Sequence, residues 1–280
     1  MQKSTLTSRA RLQRQRKSIS ARTGANNKYR INNLIVIGAS AGGHRALSEI
    51  FKDLSVDIPA AIVILLHMPM KGLPSFKKAL GRFCRLPIKE LIHQERLQQG
   101  FIFVPPPGRS AEFANGIIRV SDAVPNMGVR TINHLFESAA RRFGERVIGV
   151  ILTGLWKDGT EGLKAVHRAG GLTIVQDPRD AEYGDMPANA MKELPVTFCL
   201  KLAEIGPALE LLVRRSAQFE TGLAVAVRTL GERVALLVRM TTQSQGNPGT
   251  QAFLQNELAS LRRDLMTIEN LAAKKVSIAR

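Results

Sequence analysis

Three residues in this chain have the types that acyl transfer needs. Each follows an apolar run: Ser40 after Leu34–Ile37, His67 after Ala60–Leu66, and Asp158 six residues past Leu152. A serine hydroxyl is a weak nucleophile until a neighbouring base accepts its proton. An imidazole serves as that base best when a carboxylate holds its tautomer and stabilises the imidazolium. Ser40 stands inside Gly38-Ala39-Ser40-Ala41-Gly42-Gly43, with the G-x-S-x-G spacing of a nucleophile elbow. Free amides at the start of the following helix could stabilise an oxyanion. The same glycine run could instead cradle a phosphate.

The elements around these residues decide between the two. Leu34–Ile37 reads as a buried strand, and Ala46, Leu47, Ile50, Phe51 and Leu54 recur at helical spacing. The run Ala60–Leu66 is short and rich in Ile and Val, so it reads as a second strand. Strand, helix, strand at this spacing implies a right-handed crossover and a parallel sheet, with the site in the crevice outside the carboxyl ends of the strands. A dinucleotide site would need an acid near the end of the second strand, where Leu65, Leu66 and His67 stand. The order Ser…His…Asp also differs from the Ser…Asp…His order of α/β-hydrolases. His44, His93, His134 and His167 are scattered without metal-ligand spacing, so no metal and no cofactor is expected.

Further along, the spacing predicts a helix over 72–84. Short extended pieces between Pro87 and Asp122, with a hairpin signal at Asn115-Gly116, predict an antiparallel insertion at one sheet edge. A helix over Thr131–Phe143, a strand over Val147–Leu152, a helix from near Asp158 to His167 and a strand over Leu172–Gln176 follow. Val196–Cys199 reads as the last strand. The fold class is therefore α/β, a doubly wound and mostly parallel sheet with an antiparallel edge hairpin. Beyond it, Leu223, Val227, Leu230, Val234 and Leu237 are spaced 4-3-4-3, as are Leu254, Leu258, Leu261, Leu265 and Ile268. That pattern predicts a C-terminal helical hairpin, which could pack on itself or serve self-association.

The chain has 280 residues, 44% of them hydrophobic, enough for a substantial core. It has no apolar run long enough for a membrane span and no apolar leader. Cys84 and Cys199 are isolated, as expected of a cytoplasmic protein. The net charge is +17, and residues 1–30 carry nine Lys and Arg with no acid. This basic arm reads as disordered and could bind nucleic acid or an anionic surface. The expected divisions are an arm over 1–30, a catalytic domain over 31–205 and a helical hairpin over 206–280.

Several motifs resemble one family in order. They are Ile37–Gly43, Leu66-His67-Met68-Pro69, Leu135–Ala140, Ile151-Leu152-Thr153-Gly154 leading to Asp158-Gly159, Val175–Pro178 and Gly184–Pro187. Together they resemble the catalytic domain of the chemotaxis protein-glutamate methylesterases (CheB type). The resemblance implies a catalytic triad of Ser40, His67 and Asp158 acting on glutamyl methyl esters of chemoreceptor-like helices, with glutamine deamidation in some members. It implies oxyanion and substrate contacts at Ala41, Gly42 and Leu155. It also implies a stand-alone form, without a receiver domain and its phosphorylation control. Ala41 stands where receiver-linked members carry Thr, Leu66 where Gln precedes the histidine, and Leu155 where a Met helps build the oxyanion hole. Trp156 replaces a small residue and is expected to narrow the cleft or shift substrate choice. An alternative of a different class is a catalytically weak scaffold that keeps the fold and acts through its arm and hairpin.

Overall fold

The structure is a computed structural model and describes residues 31–67, 73–114, 117–122, 131–243, 252 and 255–266. The basic arm, Met68-Pro69, the Asn115-Gly116 turn and Ile268 lie outside the described residues.

Strand β1 (Asn33–Ala39) is buried at every position, as a central parallel strand covered on both faces must be. It pairs in parallel with β2 (Ala60–Leu66) on one side and β8 (Val147–Ile151) on the other. The sheet extends through β5 (Ile102–Val104) to β3 (Ile88–Glu90), and through β9 (Leu172–Gln176) to β10 (Phe198–Leu200). Every pairing in this seven-stranded sheet is parallel.

Successive side chains of a strand point to opposite faces, so β1 builds two cores at once. Ile35, Ile37 and Ala39 face helix α1 (Gly43–Lys52), α2 (Leu73–Leu80) and the start of α6 (Leu202–Gln243), where Leu47, Phe51, Phe76 and Leu209 are buried. Leu34 and Val36 face α3 (Thr131–Phe143), α4 (Thr160–Arg168) and α5 (Asp185–Glu193), where Leu135, Phe136, Leu163 and Met186 are buried.

The edge region differs in detail from the expected insertion. Ile102, Phe103 and Val104 are all buried, so this piece joins the large sheet as a parallel strand. The antiparallel element is a separate sheet of three strands, β4 (Gln94–Glu95), β7 (Ile117–Asp122) and β6 (Arg109–Ala114). Ser138 ties it to α3, accepting from Phe113 N at 3.0 Å and donating to Leu135 O at 2.9 Å.

Helix α6 runs 42 residues and crosses the expected division between 205 and 206. Ile205, Leu209 and Val213 are fully buried in the first core, so its first turns complete the α/β unit. Asn33 Nδ2 donates to Val213 O, and Arg214 bonds Asp57 in the loop before β2. That guanidinium holds the exposed Asp57 carboxyl below its ordinary range. Residues 255–266 are also helical, and Leu261 within them is buried. Among the described residues no helix is long and apolar enough to cross a membrane.

Candidate active site

The ladder between β1 and its neighbours continues past the strand ends and places two of the three residues. Leu152 N donates to Gly38 O at 3.0 Å, Ser40 N to Thr153 O at 3.1 Å, and His67 N to Ala39 O at 3.1 Å. Ser40 and His67 therefore sit side by side at the carboxyl edge of the sheet. Both line one cleft of about 440 Å³, with Leu65, Leu66, Pro105 and Thr131 among the other lining residues.

The turn after Ser40 closes with Gly43 N donating to Ser40 O at 2.9 Å. Gly42 takes φ 76°, a left-handed conformation that suits glycine, and caps α1. Gly38, the other glycine of the elbow spacing, has a different reason. A Cβ there would lie 2.4 Å from Ile132 Cγ2, so Gly38 lets α3 approach the strand. Of the expected oxyanion residues, Ala41 and Gly42 form this turn, and Leu155, 45% exposed, lines the cleft.

Asp158 reaches the site from the loop after β8. Its Oδ2 lies 3.1 Å from His67 Nε2. The carboxylate is buried, and three amides hold it: Ile132 N donates to Oδ2 at 3.0 Å, Asn133 N to Oδ1 at 3.1 Å, and Gly159 N to Oδ1 at 2.9 Å. Two of these donors are orphan amides at the start of α3, so Asp158 also caps that helix. The sequence predicts a helix that begins near Asp158. The helix after it, α4, begins at Thr160 with Gly159 as its cap, and the helix that Asp158 serves lies 26 residues upstream. Asn133 returns the contact, its Oδ1 accepting from Gly162 N in α4 at 2.8 Å.

Thr131 is a neighbour that sequence reasoning missed. Its Oγ1 lies 3.1 Å from His67 Nε2, the nitrogen that also faces Asp158. A single N–H on Nε2 can be shared between the two oxygens, and the free ring nitrogen is then Nδ1. The only signal in the sequence was the place of Thr131 at the start of a helix.

Gln176 of β9 and the loop after it buttress the turn that holds Ser40. Gln176, fully buried, accepts from Thr153 N at 3.0 Å. Thr153 Oγ1 donates to Ala41 O at 3.0 Å and accepts from Tyr183 N at 2.9 Å. Gly154 is bracketed by Gly154 N to Tyr183 O and Met186 N to Gly154 O. A Cβ on Gly154 would lie 2.9 Å from Ser40 Cβ and would collide with Met186 Sδ. Gly154→Ala is therefore expected to lower stability by about 1–3 kcal/mol by overpacking. It should cut esterase turnover by roughly 10²-fold through displacement of Ser40. Thermal melts and rates with a small ester check both.

Known proteins resemble the chain in sequence and in fold. A protein-glutamate methylesterase/protein-glutamine glutaminase 2 of Anaeromyxobacter dehalogenans is 37% identical over 182 residues, 65% of this chain and 53% of its own length. A protein-glutamate methylesterase/protein-glutamine glutaminase of Ralstonia nicotianae is 36% identical over 191 residues, 66% of this chain and 49% of its own length. The chain thus spans about half the length of these curated relatives. The crystal structure of the Thermotoga maritima CheB methylesterase catalytic domain is 30% identical, with a TM-score of 0.59. That match covers 64% of this chain and 98% of the domain. Residues 35–209 match the CheB methylesterase family across the sheet, the cleft and the first turns of α6, and the chain belongs to that family.

Proposed function

We propose that this chain is a serine esterase that removes methyl esters from glutamate side chains of chemoreceptor-like signalling helices. The observation that carries the reading is Ser40 and His67 lining one cleft while the Asp158 carboxylate meets His67 Nε2. With Nε2 engaged, Nδ1 is the nitrogen that takes the Ser40 proton as Oγ attacks the ester carbonyl. The developing oxyanion needs amide donors. Ser40 N and Gly154 N are committed to Thr153 O and Tyr183 O, so the amides of Ala41, Gly42 and Leu155 are the candidates. Collapse of the tetrahedral intermediate breaks the acyl carbon–methoxy bond, and His67 returns the proton to give methanol. Water, deprotonated by His67, then attacks the acyl carbon and frees glutamate and the serine hydroxyl. The same route acts on a glutamine amide, with ammonia as the leaving group. The relatives' paired names, which include a glutaminase, support this second substrate.

A fluorophosphonate probe reads the site directly. Ser40 should be the labelled residue by peptide mapping, and labelling should fall to background in His67→Ala. A folded protein that takes no label would favour the scaffold alternative, acting through its basic arm and C-terminal helices.

A further inference from the structure

Trp156 has a backbone that its side chain does not favour. It is the non-glycine residue with positive φ, 68°, among the described residues. Bulky side chains rarely adopt this region, and they persist there when the surroundings fix the conformation or the site uses it. The surroundings do fix the backbone, since Asn189 Nδ2 from α5 donates to Trp156 O at 2.8 Å. They do not use the indole to build the core, since Trp156 is 67% exposed. Trp156 lines the cleft that holds Ser40 and His67. The cleft is mostly apolar, with Leu65, Leu66, Pro105, Pro106 and Leu155 among its lining residues.

A strained, exposed indole in an apolar cleft beside a nucleophile has one evident use, which is to meet part of the substrate. We propose that Trp156 is a specificity platform. It selects helices that present a large apolar side chain one turn from the esterified glutamate. This rests on the esterase reading above. On a helix surface, side chains four residues apart lie about 6 Å apart, so one enters the cleft while its neighbour covers the indole. Tryptophan gives a broad apolar face at low conformational cost, as at the centres of protein interfaces.

The chain contains a single tryptophan, so its fluorescence reports this position alone. The test uses two helical peptides that carry one glutamyl methyl ester and differ only in Leu or Gln four residues away. Wild-type protein should release methanol from the Leu peptide with a kcat/KM roughly tenfold higher, the scale of a buried apolar side chain. Trp156→Gly should reduce that preference to about twofold or less, mainly through KM. It should also melt at a higher temperature, since glycine adopts φ 68° without strain. In Ser40→Ala, the Leu peptide should shift the indole emission to the blue, and the Gln peptide should shift it less.

An unchanged preference in Trp156→Gly, or a saturating Leu peptide that leaves the emission unmoved, overturns the platform. So does a lower melting temperature, which would make the indole structural. If the emission shifts but wild-type protein releases no methanol from either peptide, the platform stands and the esterase reading fails. If methanol is released without dependence on Trp156, the esterase reading stands and the platform fails.

Discussion

Ser40→Ala is expected to lose ester hydrolysis by about 10⁴-fold or more, the scale seen when a serine hydrolase loses its nucleophile. The reason is the absence of a substitute. The neighbouring hydroxyl, Thr131 Oγ1, contacts His67 Nε2, whereas the proposed proton transfer runs through Nδ1. Thr153 Oγ1 is committed to Ala41 O and Tyr183 N. The substitution should leave the fold unchanged, because Ser40 holds its place through backbone bonds, Ser40 N to Thr153 O and Gly43 N to Ser40 O. The measurement is methanol release from a methyl-esterified receptor helix, with circular dichroism and a thermal melt as the control. Full activity in a folded Ser40→Ala protein would remove the triad assignment.

Asp158→Asn is expected to damage both activity and stability. In a triad, the amide lets the imidazole take the wrong tautomer, which costs about 10⁴-fold in turnover elsewhere. Here the site adds a second penalty. Both carboxylate oxygens accept amide N–H donors, Oδ2 from Ile132 and Oδ1 from Asn133 and Gly159. The NH₂ of asparagine, on either side, must face at least one of these donors. The lost cap and an unsatisfied buried donor together should cost about 1–3 kcal/mol. Chemical denaturation with activity measured in parallel separates the two effects. Thr131→Val serves as a comparison, because it changes the other contact to Nε2 and leaves the cap in place. An Asp158→Asn protein as stable as wild type would show that the helix cap carries little energy.

The strands and helices of the α/β unit were legible because their apolar periods are clean. Ala60–Leu66, Thr131–Phe143 and Leu172–Gln176 fall at the expected bounds. Ser40 and His67 were legible because each follows an apolar run at the carboxyl end of a strand. The job of Asp158 was harder to see, since a cap is a contact in space and α3 lies 26 residues away in sequence. Met186 and Gln176 stood out as motif members, but their packing on Gly154 and Thr153 needed coordinates. From sequence the piece at Ile102–Val104 reads as part of the edge insertion, because a short apolar run does not declare its partner. The extent of α6 was also hidden, because the burial of Ile205 and Leu209 that ties its first turns to the α/β unit is a contact in space.

The hydrogen-bond ladder that runs on beyond β1 divides the labour of the cleft. Ser40 and His67 take their main-chain positions from bonds to Thr153 and Ala39 that form with the sheet itself. Their ordering entropy is spent during folding, so in the proposed reaction a substrate meets both groups already in place. A change of substrate within this scaffold must then be written elsewhere, in side chains that touch the ligand without joining the ladder. Leu155, Trp156, Pro105 and Pro106, which line the cleft, are where the proposed esterase can diverge from others of its fold while its chemistry stays fixed.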